Sequence, residues 1–137
     1  MSNFLTSPFF IISLFVLILI LHVLAMSFGW YWKYDNVFDN LHHFLGGFWV
    51  AAVFFYVFKQ YPHIFDTKKN WLATLILALG FVSLIGVGWE FFEFTFDRIF
   101  ADKQIFPRAQ ISISDTMADL FFNLVGGIVF VVVVNLF

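Results

Sequence analysis

The stretch DTMADLFFNLVGGIVFVVVVNLF, residues 115–137, decides the fold. It is near the length of about 20 residues that a helix needs to cross the hydrocarbon core of a bilayer. Asp115, Asp119, Asn123 and the pair Gly126/Gly127 recur in it at steps of three and four, so they share one face of an α-helix. An apolar span with a polar, small-residue stripe at one end belongs against other spans, because small side chains let membrane helices approach closely.

Three further blocks of the same kind precede it, at about 8–28, 38–58 and 71–96. The chain is 62% hydrophobic and 12% charged, with a mean hydropathy of +0.93, which lies outside the range of ordinary soluble domains. Four spans take up nearly all of its 137 residues. The expected architecture is therefore all-α, a membrane-embedded four-helix bundle with short loops in one domain, residues 1–137. Spanning backbone must satisfy its own hydrogen bonds, and the alternating strands of a closed barrel are missing.

Composition also removes several function classes. Without cysteine there are no disulfides, thiolate metal sites or Cys nucleophiles. A formal charge of −2 and no Lys/Arg block argue against nucleic acid as a partner. The first span lacks a basic leader and a small-residue cleavage site, so we expect it to be retained and not cleaved as a signal.

Punctuation sets the helix ends. Ser7-Pro8 has the form of an N-cap with proline at the first helical position, and the first helix should end near Gly29. Trp30-Tyr31-Trp32-Lys33-Tyr34 suits the headgroup boundary. Asp35 or Asn36 can cap the second helix, Trp71 opens the third, and Ser112 or Ser114 can cap the fourth. Four spans put both termini on one side. Lys59, Lys68 and Lys69 lie there, against Lys33, Arg98, Lys103 and Arg108 opposite, a balance that assigns no orientation.

The polar residues converge by the same reasoning. Asp39, His43 and Gly46/Gly47 share a face of the second span, and Gly86, Glu90 and Glu93 share a face of the third. With Asp115, Asp119 and Asn123, and with His22 near the exit of the first span, all fall on one membrane side. Five carboxylates with few nearby cations cannot stay charged and unpaired in a low-dielectric seam. Compensation can come from a divalent metal ion on carboxylate and imidazole, Zn, Mn, Fe or Mg. It can also come from shared protons, or from Arg108 folding over the cluster. The bland alternatives are a macrodipole role for Asp115, outward snorkelling of Glu90 and Glu93 and a core or interface role for His22 and His42.

In order along the chain, Asp39-Asn-Leu-His-His43-Phe-Leu-Gly46-Gly47, Trp89-Glu90-Phe-Phe-Glu93, Pro107-Arg108 and Asp115-Thr116-x-x-Asp119-x-x-x-Asn123-x-x-Gly126-Gly127 resemble VanZ-like and YjdF-like small bacterial membrane proteins. The resemblance covers most of the chain from Asp39 onward. VanZ-like proteins usually carry Gln where Glu93 stands, so this chain has an added acid, and the Asp115-Thr116-x-x-Asp119 spelling is closer to the YjdF branch. The resemblance implies a multi-span fold with a polar cluster, and no activity is carried over.

The expectation is thus an integral membrane protein, in the bacterial inner membrane, whose cluster binds a metal and acts on a lipid-linked or amphiphilic substrate. Asp39, His43, Glu90, Asp115, Asp119 and Asn123 are the candidate ligands, with Glu93 as general base and Arg108 as a catalytic cation; membrane lipids are the partners, and a homo-oligomer is compatible. Two alternatives stand beside it: a proton or cation path, and a structural protein whose cluster only fixes helix packing.

Overall fold

The computed structural model describes residues 4–34, 37–64, 70–102 and 108–136, with Trp32 and Leu136 described by backbone alone. The expected caps Asp35 and Asn36, and Lys68, Lys69, Lys103 and Pro107, lie outside the described residues. Among the described residues, four helices have the length and apolar character to cross a membrane. They are α1 (Pro8–Ser27), α3 (Val37–Gln60), α4 (Trp71–Phe96) and α5 (Ile113–Leu136), and a single short turn, α2 (Trp30–Lys33), links the first two. The all-α four-helix bundle expected from hydropathy is what the chain forms, with no strand among the described residues.

Local chemistry explains most of the boundaries. The Ser7 hydroxyl accepts from Phe10 N–H at 3.1 Å with Pro8 next in line, so α1 begins where its sequence signals it. Gly29 takes the left-handed conformation, φ 68°, that ends α1 and turns the chain into α2. Between the two candidate caps of α5, Ser112 is the one used: its hydroxyl accepts from Asp115 N–H at 3.1 Å. Asp115 in return accepts from Ile111 N–H at 3.1 Å, a reciprocal arrangement close to a capping box. Ser112→Ala should therefore lower stability by about 1 kcal/mol, read as an earlier thermal unfolding transition in detergent; an unchanged transition would show that the cap is dispensable.

The end of α4 departs from the sequence expectation. Helical backbone continues past Phe96 as a wider turn, Asp97–Ala101, closed by Asp102 N–H to the Asp97 carbonyl at 2.9 Å, five residues back. Such π-type turns are rare and tend to occur at functional sites.

Helices α3 and α5 form the central pair and α4 packs against both, whereas α1, among the described elements, leans on α3 and α2 alone. The interior far from the acids is apolar, with Phe55, Phe130, Val82 and Val134 its largest fully buried side chains. Phe48 meets Phe130 edge to face at 5.0 Å. Trp49 fastens α1 by donating its indole N–H to the Ile11 carbonyl at 2.9 Å. The outer faces of α1 and α4 are exposed and strongly apolar, Phe9, Ile12, Ile76 and Leu84 among them, as lipid contact requires.

Close approach is written into α3 and α5. A Cβ on Gly47 would collide with the Asn123 carbonyl, and one on Gly126 with the Phe44 carbonyl. Backbone meets backbone there, so no neighbouring rotamer can make room. The small residues expected at an interior seam lie in one.

Candidate metal centre

The seam delivers the polar stripes to one place. His43 is buried, 6% exposed, and its Nε2 faces Asp119 Oδ1 at 3.6 Å and Asp39 Oδ1 at 3.8 Å. The Asn123 amide Nδ2 donates to His43 Nδ1 at 3.2 Å and so orients the ring from behind. Room for that carboxamide comes from glycine: a Cβ on Gly86 would stand 3.1 Å from Asn123 Nδ2, and one on Gly46 would stand 3.7 Å from Oδ1.

Among the described residues, two triads have ligand atoms within 4.8 Å of one another: Asp39, His43 and Asp119, and His43, Glu90 and Glu93. They share only His43. Glu90 is 6% exposed and Asp119 is 2% exposed, and both side chains end in an oxygen with no hydrogen-bond partner, Glu90 Oε1 and Asp119 Oδ1. Buried carboxylate oxygens are ordinarily satisfied, and exceptions call for an explanation such as an ion. Glu90 and Glu93 do not snorkel to solvent; Glu93 is half-buried and accepts from the Trp89 indole at 2.9 Å.

The remaining candidates separate from this centre. Asp115 is buried at the start of α5, where it accepts from Ile111 N–H, and it belongs to neither triad. Asn123 meets the imidazole, as a partner of a candidate ligand. Arg108 does not fold over the acids. Its guanidinium is exposed and pairs with Asp102 at 2.9 Å, where Arg98 also binds at 3.2 Å. The widened turn at the end of α4 presents Asp102 to both arginines at the surface, so neither has to give up water for the seam.

His22 joins a neighbouring group instead. Its Nδ1 accepts from the Tyr31 hydroxyl at 2.8 Å, and its ring lies 5.8 Å from that of His42. His42 Nδ1–H donates to the Phe38 carbonyl at 2.6 Å. Burial, with Asp39 and Glu93 nearby, pushes the Tyr31 phenol above its ordinary range, which keeps its proton in place for the bond to His22.

Two residues of the centre escape sequence reading. Asp97, 4% exposed, accepts backbone N–H groups of Ala109 at 2.8 Å and Gln110 at 3.0 Å, and so ties the loop before α5 to the end of α4. Gln110 then donates to Glu90 Oε2 at 3.2 Å and Thr116 Oγ1 at 2.8 Å. One oxygen of Glu90 is thereby held while the other stays open. A loop glutamine carries no periodic signal; only the acid at Asp97, just past a span, could have marked the position.

Comparison with known proteins gives a distant relative and a family. An uncharacterized protein of Thermotoga maritima is 33% identical over 95 residues, covering 68% of this chain. The chain spans 46% of that relative's length. No solved structure matches. A family described as "Predicted membrane protein (DUF2238)" matches residues 3–137. With four apolar helices and a match over almost its full length, the chain is an integral membrane protein that belongs to the DUF2238 family.

Proposed function

We propose that the chain binds a divalent metal ion in the seam between α3, α4 and α5, at the membrane end where Asp39 and Glu93 remain partly accessible. The observation that carries this is the pair of buried, unpartnered carboxylate oxygens on Glu90 and Asp119, each within a triad completed by His43. Carboxylate with a single imidazole suits Mn, Fe, Zn or Mg. Ligation through His43 Nε2 requires the ring proton on Nδ1. That tautomer calls for the Asn123 carboxamide in the reverse of the orientation described above, its oxygen in place of the Nδ2 that faces Nδ1, an exchange its two nearly equal ends allow. The residues that resemble VanZ-like and YjdF-like proteins include Asp39, His43, Glu90 and Asp119, which supports a shared role for them.

A bound ion here would polarise an oxygen and favour a water-derived nucleophile. The chemistry that suits such a centre is metal-assisted hydrolysis or transfer on an amphiphilic or lipid-linked substrate, entering beside the headgroups. In this reading Glu93, placed in the second triad, serves as a ligand and not as a base. The helical spans and the bacterial relative favour the inner membrane.

The alternative of a proton or cation path is less favoured. Beyond the centre, Ser83 donates to the Leu79 carbonyl and Asn135 to the Val131 carbonyl, each on its own helix, so neither extends a polar route. A purely structural cluster predicts instead that Asp119→Asn alters stability and binds no less metal than wild type.

Elemental analysis of the purified protein decides between them. Wild type should carry at least one divalent ion per chain, and folded His43→Ala and Glu90→Gln should lose it. Metal-free, well-folded wild type after growth and purification with added Mn, Fe and Zn would overturn the proposal.

A further inference from the structure

We infer that the seam holds two divalent ions and not one; this rests on the metal-binding reading above. The first argument is geometric. Ligands of one small ion must gather within a few ångströms of one another, at bond lengths of about 2.0–2.2 Å. The five donor residues do not form one such set. They fall into two triads that meet at His43, with the Asp39/Asp119 carboxylates in one and the Glu90/Glu93 carboxylates in the other.

The second argument is charge. Asp39, Glu90, Glu93 and Asp119 supply four carboxylates and His43 is neutral as a ligand, so one divalent ion cancels half of the negative charge and two cancel all of it. Residual charge in a low-dielectric seam is costly. Among the described residues, the two arginines on this side are committed elsewhere, Arg98 and Arg108 both to Asp102 at the surface.

The third argument is the distribution of unsatisfied atoms. Asp119 Oδ1 falls in the first triad and Glu90 Oε1 in the second, so each centre has its own buried oxygen without a partner. A lone ion in the first would leave Glu90 unexplained, and a lone ion in the second would leave Asp119 unexplained. His43 has one nitrogen facing the acids, because Asn123 occupies Nδ1. One ion would therefore take the imidazole, and the other would be held by the remaining carboxylate pair with water completing its shell. An oxygen-dominated donor set with one imidazole favours Mn(II) or Fe(II) over Zn(II).

The test is reconstitution of the full-length, detergent-solubilised protein with Mn(II) alone, followed by metal quantification and electron paramagnetic resonance. Two Mn per chain are expected, with the six-line spectrum of isolated Mn(II) replaced by that of a spin-coupled pair. Glu93→Gln and, independently, Asp39→Asn should each fall to one Mn per chain and recover the six-line spectrum. One Mn per wild-type chain with an uncoupled spectrum would overturn the pair and leave a mononuclear site standing. No Mn, Fe or Zn in folded wild type would overturn the metal-binding reading and the pair with it.

Discussion

Gly126→Ala should disrupt the bundle as severely as a single methyl addition can along the seam. The new Cβ would fall on the Phe44 carbonyl, and the Phe48 amide stands directly behind it. Neither can turn aside as a side chain would, so α3 and α5 must separate or shift along each other. The cost should reach about 3 kcal/mol, the upper end for overpacking. Gly47→Ala meets the Asn123 carbonyl in the same way and should behave alike. Because this helix pair carries Asp39 and His43 to Asp119, the proposed metal binding should be lost together with stability. Gly88→Ala is the control. Nothing stands within 4 Å of its added carbon, and replacing glycine in a helix should stabilise by about 0.5–1 kcal/mol. Unfolding in a denaturant series in detergent micelles measures all three; equal behaviour of Gly126→Ala and Gly88→Ala would show that the helices are not in contact at this point.

Asp97→Ala should release the loop over the centre. Two backbone N–H groups, on Ala109 and Gln110, would lose a charged acceptor inside a buried site. Hydrogen bonds to charged groups contribute about 1.5–3 kcal/mol each, and orphaned donors add desolvation, against which the relief of burying one charge must be set. A net loss of about 3 kcal/mol is the expected result. Amide exchange of residues 108–111 should rise sharply. Glu90 would lose the Gln110 contact that holds one of its oxygens, so the metal affinity proposed for the centre should fall even though Asp97 belongs to neither triad. Unchanged amide protection in Asp97→Ala would show that the loop is held by something else.

The parts of this structure legible in the sequence are those with a local or periodic cause. Hydropathy marks four spans, Ser7-Pro8 marks the start of α1, and steps of three and four residues assign Asp39 with His43, Glu90 with Glu93 and Asp119 with Asn123 to common faces. The glycines then point those faces inward. What stayed hidden depends on backbone that leaves the helical repeat. The wide turn at Asp97–Ala101 changes which residues face the centre after α4, so Asp102, and not a seam acid, receives Arg108. Gln110 reaches Glu90 only because Asp97 captures two amides far along the chain. His22 has the right depth for the centre, yet Tyr31, on a short helix with no apolar periodicity, claims its ring first.

The modest attachment of α1 has a consequence for a chain that lives among lipids of varied length. Helices α3 and α5 fit at one axial offset, since sliding either by a turn would drive a side chain into a carbonyl, so they respond to a thinner or thicker bilayer only by tilting as a unit. Helix α1 is joined to α3 alone and to α2 through the bend at Gly29. Hydrophobic mismatch costs only fractions of a kcal/mol per ångström, little enough for α1 to absorb by changing its own inclination. Spacing among Asp39, His43 and Asp119, which α3 and α5 carry, should thereby be insulated from the lipid composition around them.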